Sequence, residues 1–379
     1  MKASSTPKLL DPRKTETHMS SPAVTRTHHR LLPDPRRVLA KPFMPGEEVL
    51  LPGPSRVEAL MARILDIPEA RVSALLEDVL ARFSLRHRAF DEILERHFQL
   101  VAHYIDSAVF ISRERRLLIG AYFTHEYSVE AAALFNPSIV LAPDQSNLKS
   151  GERRFVLSLR AIGEGHLSSI EFRSGVIGAS GDLTFDPAGP HLVAGHRTAP
   201  THYQKKRFMT KLTELGAGNE LAMSILEPLP GEFTIEDLEG SLGRLEKHGP
   251  PHAIWFETVQ IIRVLASSNY LTTFPADSAL SERVIFPAGP NETHGMEDAR
   301  FVRFTDDGEP AKYYATYTAY DGFQIIPQLI ETDDFVTFMI TTLNGSAAQN
   351  KGMALFPRRI DGRYVMLSRK DRENLHLAT

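Results

Sequence analysis

The stretch from His294 to Arg303 combines side chains that can do acid–base chemistry. Glu297 and Asp298 are adjacent carboxylates, Arg300 follows two residues later, and a strand-like segment then runs on to Asp321. Because neighbouring residues on a strand point to opposite faces, Glu297 and Asp298 are predicted to serve different surfaces. An acid facing a cleft, with a cation and a second acid nearby, suits the cleavage of a sugar acetal. The alternative is a salt bridge at the start of an ordinary strand.

The bulk composition describes an ordinary globular protein and excludes several classes of function. The 379 residues carry a formal net charge of −4, so neither a nucleic acid nor a membrane surface is predicted as a partner. Cysteine is absent, which excludes disulfides, thiol catalysis and thiolate metal sites. The histidines are scattered, and no metal site is predicted. No signal-peptide core and no apolar run of membrane-spanning length is found in the sequence, so we expect a cytoplasmic protein.

The N-terminal third is predicted to be an arm followed by helices. Residues 1–45 are rich in Pro, Arg, Thr and His without periodicity, which predicts a loose arm. Residues 46–134 carry four apolar patterns at helical spacing. Ser55 is predicted to cap the first helix, and the fourth helix is predicted to cover about 112–134.

Residues 135–379 change to short, β-rich segments separated by turns, with a helical insertion at about 201–269. Three segments share a pattern, because Arg154-Phe-Val-Leu-Ser-Leu, Lys312-Tyr-Tyr-Ala-Thr-Tyr and Arg363-Tyr-Val-Met-Leu-Ser each follow a polar turn and begin with a cation and an aromatic. Such repetition favours the blades of a β-propeller over a sandwich. The predicted fold class is therefore mainly β with helical additions.

The number of blades is too small for a closed ring. About three blades are visible, whereas a propeller needs at least four. The sequence ends inside a strand-like segment, so either the chain is a truncated product or a partner covers its last edge. Truncation is the preferred interpretation.

The inner strands and turns of a propeller converge on a central depression, where residues far apart in sequence meet. The polar side chains predicted to reach it are Asn136, Arg160, Glu164, His166, Asp298, Arg300, Tyr320, Asp321, Lys351 and Arg369.

With these residues in view, the chain resembles glycoside hydrolase family 130, the β-mannoside phosphorylases and β-1,2-mannosidases. The matching elements are short, but their order and spacing are specific, and they cover about 135–379 without the insertion. They are Phe135-Asn-Pro, the strand ending in Arg160, Gly295-Met-Glu-Asp-Ala-Arg300, Tyr317-Thr-Ala-Tyr-Asp-Gly322, and Leu355-Phe-Pro with Gly362-Arg-Tyr-Val-Met-Leu. The resemblance implies a five-bladed β-propeller, incomplete in this chain, with the sugar at its centre.

The resemblance also implies an enzyme that cleaves β-mannosides, with β-1,2-mannooligosaccharides as the expected substrates, and inverts the anomeric carbon. Asp298 matches the general acid of the phosphorylases, whose proton is relayed through a sugar hydroxyl. In phosphorolysis, a glycosyl transfer to phosphate, the nucleophile is inorganic phosphate, whereas hydrolases use a base-activated water. The sequence leaves open which of the two applies. No cofactor is expected beyond phosphate as a co-substrate.

The remaining site residues have structural alternatives. Asn136, Arg160 and Arg300 match family positions near the sugar or nucleophile, but Arg300 can equally orient Asp298 from behind. Tyr320 and Asp321 are expected to bind sugar hydroxyls, although Asp321 can instead serve the turn before Gly322.

Two further pairs of residues have equally open roles. Glu164 and His166 either reach the cleft or form an ordinary turn. Lys351 and Arg369 either line the rim or lie on a solvated face.

The sequence departs from the family in two respects. Ala299 stands where the family motif has a proline, a change that a strand should tolerate. The later blades that carry the phosphate-binding lysine and histidine of the phosphorylases fall beyond Thr379, and this weakens the catalytic interpretation. The alternative function is a non-catalytic or truncated carbohydrate-binding propeller. In either case the expected partner is a small oligosaccharide, and homo-oligomerisation is left open.

Overall fold

A computed structural model of the protein describes residues 26–46, 54–246, 253–306, 308–371 and 373–379. Contacts between Cα atoms divide the chain into two units, Met1–Leu31 and Leu32–Thr379. All helices and strands given below belong to the second unit. Of the predicted loose arm, residues 1–25 lie outside the described part.

The N-terminal region contains four helices between two strands that pair with each other. In chain order it comprises β1 (Val38–Pro42), α1 (Arg56–Leu65), α2 (Glu69–Phe83), α3 (Phe90–Val101), α4 (Arg113–Tyr122) and β2 (Thr124–Ser128). The predicted cap of the first helix is confirmed, since the Ser55 hydroxyl accepts from the Glu58 amide and the Glu58 carboxylate accepts from the Ser55 amide. No helix in the described ranges is both long enough and apolar enough to cross a bilayer.

The β1–β2 ladder corrects two expectations from the sequence. The prediction of a loose arm up to residue 45 is wrong at Val38–Pro42, which forms a strand. The helix predicted for about 112–134 ends at Tyr122. The two strands pair antiparallel, with Leu39 opposite Tyr127. A ladder between segments so far apart in sequence depends on tertiary context, which overrides the local helical pattern.

The central part of the chain is a large mixed sheet. Its strands before the helical insertion are β3 (Ala133–Leu141), β4 (Arg153–Ile162), β5 (Ser168–Ile177), β6 (Leu183–Phe185), β7 (Val193–Ala194) and β8 (His196–Thr198).

The insertion consists of β9 (Tyr203–Gln204), α5 (Lys205–Glu214), α6 (Glu220–Leu226), β10 (Glu232–Phe233), α7 (Ile235–Glu246) and α8 (Ala253–Ser267). These elements enclose a hydrophobic core of their own, in which Tyr203, Phe208 and Phe233 pack ring against ring. The helices lie within residues 201–269, the range predicted as a helical insertion. That this insertion belongs to a propeller domain stays a prediction.

The chain then continues through β11 (Tyr270–Thr273), β12 (Arg283–Ile285), β13 (Gly295–Phe304), β14 (Lys312–Tyr320), β15 (Ile325–Thr332), β16 (Thr337–Thr342), β17 (Ala354–Leu355), β18 (Met366–Ser368) and β19 (His376–Ala378). The last three strands form a separate antiparallel sheet.

Two antiparallel meanders, β3 to β6 and β13 to β16, make up most of the large sheet. They are joined by one parallel residue pair, Gly295 with Ser168. A Cβ atom on Gly295 would lie 2.7 Å from the Ser168 amide nitrogen, so only glycine allows the strands to approach this closely. The fold is mainly β with helices, but the sheets of the described residues do not close into a ring, and the five-bladed propeller stays a prediction.

An aromatic cluster holds the two meanders together. Phe172 on β5 stacks on Phe338 of β16 at a centroid distance of 5.7 Å and meets Phe301 of β13 edge-on at 5.9 Å. Phe335 and Tyr313 pack into the same core. Aromatic pairs of this geometry add to the free energy gained from burial. The cluster therefore fixes β5 of the first meander against β13 and β16 of the second.

Four buried charges connect the N-terminal region to β5. The Arg37 guanidinium lies 2.5 Å from Glu130 and 3.1 Å from Glu171, and Arg173 bonds the same two carboxylates at 2.6 and 3.0 Å. Both glutamates are fully buried. In the described part of the chain, the ion pairs of both glutamates lie within this quartet, so the loss of one member leaves a buried charge without its partner.

We predict that Glu130→Ala lowers the free energy of unfolding by about 3–5 kcal/mol, because both guanidiniums lose a buried partner. Equilibrium urea unfolding measures the change. The matched control is Asp78→Ala, which removes the exposed pair between Asp78 and Arg82 and should cost about 0.5 kcal/mol or less. Equal losses in the two variants would contradict the role of the quartet.

A buried histidine predicts a pH dependence of stability. His97 on α3 is bonded to the Thr124 hydroxyl at 2.7 Å, and burial lowers the pKa of its imidazole from 6.5 to about 4. The unfolded chain therefore binds the proton more tightly, and the free energy of unfolding should fall as the pH drops from 6.5 towards 4. Urea unfolding across this pH range should show a smaller slope for His97→Gln than for the native chain. His103→Gln, at an exposed histidine, should leave the slope unchanged.

Candidate active site

Two strands of the large sheet are distorted at equivalent places. The β13–β14 register shifts between Glu297 and Arg300, and Asp298 there has a φ of 55°. The β3–β4 register shifts between Phe135 and Ser138, and Asn136 there has a φ of 53°. Left-handed backbone is uncommon for residues other than glycine, although Asn and Asp adopt it most readily. Conformations of this kind concentrate at functional sites.

The two distorted residues contact each other. The Asn136 amide Nδ2 donates a hydrogen bond of 2.7 Å to Oδ1 of Asp298. This bond crosses from the first strand of one meander to the first strand of the other and fixes the orientation of the Asp298 carboxylate. Its side chain is 26% exposed, so the carboxylate is held from one side and open on another.

Arg160 on β4 binds both adjacent carboxylates. Its Nη1 lies 3.4 Å from Oδ1 of Asp298, and its Nη2 donates to Oε1 of Glu297 at 2.7 Å. Its Nε donates to the Ser168 hydroxyl at 2.9 Å, and the guanidinium lies over the Phe135 ring at 5.2 Å. Together these contacts hold the guanidinium plane in one position. A planar guanidinium can do this because it presents several N–H donors in a fixed geometry.

The prediction that Glu297 and Asp298 face opposite surfaces is wrong. Both carboxylates contact one guanidinium, and Glu297 also lies 3.6 Å from the Lys351 Nζ. The physical reason is the bulge in β13, because an extra residue in left-handed conformation interrupts the alternation of an ideal strand. Glu297 is thus part of the cluster rather than a support behind it.

Lys351 lies beside the cluster, and its role as a rim residue stays a prediction. It lines a narrow cleft, with a cavity volume of about 10 Å³, together with Asp298, Thr316, Thr318 and Asn350. The Lys351 side chain is 45% exposed. Arg369 does not reach the carboxylates through any contact that the structure gives, but its carbonyl accepts from Asn350 Nδ2 at 3.1 Å. Its backbone therefore supports the segment that carries Lys351.

Three residues predicted to bind substrate make contacts within the protein, and their binding to a substrate stays a prediction. The Arg300 Nη1 donates to the Pro137 carbonyl at 3.0 Å and so braces the bulge of β3. Asp321 serves its turn, since its Oδ1 accepts from the amides of Phe323 and Gln324 at 2.8 and 2.6 Å. The Tyr320 hydroxyl donates to the Gly322 carbonyl at 2.9 Å in the same turn.

Glu164 and His166 lie in the turn between β4 and β5. Glu164 Oε1 accepts from the Ser128 amide at 2.9 Å, so this carboxylate fixes the turn against β2. His166 is exposed, with a φ of 60°. Neither side chain contacts the Asp298 cluster in the structure.

Sequence reasoning missed two partners of the cluster. Glu297 was assigned to the opposite face, and Ser168, which holds the Nε of Arg160, was not singled out. No sequence signal marks Ser168, because it follows a turn in an ordinary strand. The Glu-Asp pair did carry a signal, since Asp tolerates the left-handed conformation that puts both acids on one side.

Comparison with known proteins identifies a likeness over part of the chain. No family model matches it. Over 85 residues, or 22% of this chain, it is 31% identical to the β-1,2-mannobiose phosphorylase of Listeria innocua. The chain thus resembles a β-mannoside phosphorylase, as its motifs predicted. The match spans only 22% of the length of that relative.

Solved structures give more distant likenesses. A member of the GH130 family of mannoside phosphorylases, whose description names β-1,2-mannosidic linkages in Candida mannan, is 12% identical with a TM-score of 0.27, covering 67% of this chain and 50% of its own. A glycosyl hydrolase of Bacteroides ovatus is 13% identical with a TM-score of 0.26, covering 64% and 45%. The Listeria innocua phosphorylase in complex with β-1,2-mannobiose is 16% identical with a TM-score of 0.23, covering 66% and 58%. Scores this low do not establish a common fold.

We predict that Asn136→Ala lowers the free energy of unfolding by about 1–2 kcal/mol, because it removes the bond to Asp298 and replaces an asparagine, which tolerates left-handed backbone, by an alanine, which tolerates it less well. Asn136→Gly removes the same bond without the backbone strain and should cost less. Urea unfolding of both variants measures the difference. A glycine variant at least as unstable as the alanine variant would show that the left-handed conformation is not imposed at this position.

Proposed function

We propose that this chain carries part of the active site of a carbohydrate-active enzyme that cleaves β-mannosidic linkages with inversion. The observation that carries the proposal is the Asp298 carboxylate held at a strained bulge by Asn136 and Arg160 from the neighbouring meander. An oriented and partly exposed carboxylate supports the role of a general acid. The 85-residue likeness to a β-1,2-mannobiose phosphorylase supports β-1,2-mannosides as the substrates.

In this proposal Asp298 supplies the proton for the leaving oxygen. Its Oδ1 already accepts from Asn136 and Arg160, so Oδ2 is the oxygen that carries the proton towards the cleft. The proton passes to a sugar hydroxyl, which in turn gives its own proton to the departing glycosidic oxygen. The bond from the anomeric carbon to that oxygen breaks as the nucleophile attacks from the opposite face.

Glu297 holds the cations of the site. Its two oxygens face Arg160 and Lys351, so it fixes both side chains beside Asp298 and is not itself free to attack the sugar. The nucleophile therefore comes from solution, as inorganic phosphate in a phosphorylase or as water in a hydrolase. The positive charge of Arg160 and Lys351 would favour a phosphate dianion near the cleft, although each already pairs with a carboxylate.

We predict that Asp298→Asn lowers turnover of β-1,2-mannobiose by at least about 100-fold, since the amide cannot deliver a proton. Binding of the disaccharide, measured by calorimetry, should persist because the amide keeps the shape of the side chain. Asp306→Asn is the control, because Asp306 pairs with Arg359 away from the cluster. Normal turnover by Asp298→Asn would remove the aspartate from the mechanism.

The same assay with and without phosphate distinguishes the two reactions. Formation of α-mannose 1-phosphate only when phosphate is present identifies phosphorolysis, and release of mannose without phosphate identifies hydrolysis. In both reactions NMR should show the α-anomer as the first product, because the β-linkage is inverted. Absence of turnover by the native chain on any β-mannoside, together with retained sugar binding, would indicate a carbohydrate-binding protein instead.

A further inference from the structure

Two turns of the large sheet share one composition beside the carboxylate cluster. The β4–β5 turn reads Glu164-Gly165-His166 and the β14–β15 turn reads Asp321-Gly322-Phe323, so each contains an acid, a glycine and a ring. Gly165 and Gly322 both have positive φ, 64° and 96°. Each turn follows a strand that pairs with one of the two bulged strands, and both turns lie at the end of the sheet where the bulges are.

The acids of these turns order the backbone. Glu164 accepts from the Ser128 amide, and Asp321 accepts from two amides of its own turn. Both carboxylates are thereby committed to the protein, which explains why neither reaches Asp298. Turns fixed in this way lose little conformational entropy when a ligand binds.

The rings, in contrast, are exposed. The Phe323 side chain is 94% exposed, and His166 is also exposed. The turn that carries Phe323 packs against the His294 ring, since a Cβ on Gly322 would lie 2.7 Å from that ring. The His294 ring in turn meets the Tyr320 ring edge-on at a centroid distance of 5.7 Å. Phe323 is therefore a solvent-facing ring on a rigid base.

The distance from the cluster suits a short sugar chain. Thr318 pairs with Glu297, and Phe323 lies five residues further along the chain. With a rise of about 3.3 Å per residue in the strand and a tight turn at its end, the ring lies roughly 10–15 Å from Asp298. A monosaccharide bound at Asp298 would not span this distance, but a chain of a few sugars would.

We infer that His166 and Phe323 form a stacking rim that binds the sugar units of an oligosaccharide beyond the bond that is cleaved. A pyranose has a face of C–H groups, and contact with a flat ring removes apolar surface of both from water. The ligand class is therefore a neutral oligosaccharide of three or more units. This inference rests on the proposed function, because the rim is placed relative to Asp298.

The test compares substrates of different length. For Phe323→Ala in the full chain, the ratio of kcat/KM on β-1,2-mannotetraose to that on β-1,2-mannobiose should fall about tenfold, the usual worth of one ring contact. His166→Ala should lower the ratio as well, and Phe323→Trp should restore it. The control is Phe110→Ala, because Phe110 is 91% exposed but lies in the segment between α3 and α4.

An unchanged ratio in Phe323→Ala, with the native chain active on both substrates, overturns the rim and leaves the proposed function intact. If the native chain turns over neither substrate, the proposed function fails. The rim is then judged by calorimetry with β-1,2-mannotetraose. An affinity about tenfold weaker for Phe323→Ala than for the native chain supports it, and equal affinities overturn it.

Discussion

The arrangement of the candidate site depends on the Arg160 guanidinium. Two carboxylates that are adjacent in sequence repel each other when they share one surface, and here Glu297 and Asp298 do share one. Arg160 places a separate N–H group on each of them and a third on Ser168. Since a lysine has no planar fork, it could not hold three partners in this geometry. The bulge in β13 is stable because this cation compensates the charges that the bulge brings together.

The sequence identified the main polar residues of the cluster but not its geometry. Asp298, Asn136, Arg160 and Lys351 were predicted from their residue types and the order of their motifs. The side on which Glu297 lies was predicted wrongly, because period-two alternation holds only for an unbroken strand. A bulge is set by contacts with another meander, and a local pattern of residues does not contain those contacts.

Other differences have the same origin. Thr124–Ser128 follows a helix directly and was taken as its continuation, yet β1 offers it a ladder from more than eighty residues earlier. Asp321 and Glu164 have the right chemistry for a sugar site, but nearby amides use that chemistry first. Local features that need no distant partner, such as the helix cap at Ser55, were predicted correctly.

The bond between Asn136 and Asp298 joins residues 162 positions apart. Closing so long a loop costs conformational entropy, and contacts of this kind tend to form late in folding. Part of that loop is the helical insertion, which has a hydrophobic core of its own. If the insertion folds first, it replaces a long stretch of disordered chain by a compact spacer, and the two halves of the site meet across a shorter effective distance. In that role the insertion would act on the assembly of the site without contributing a side chain to it.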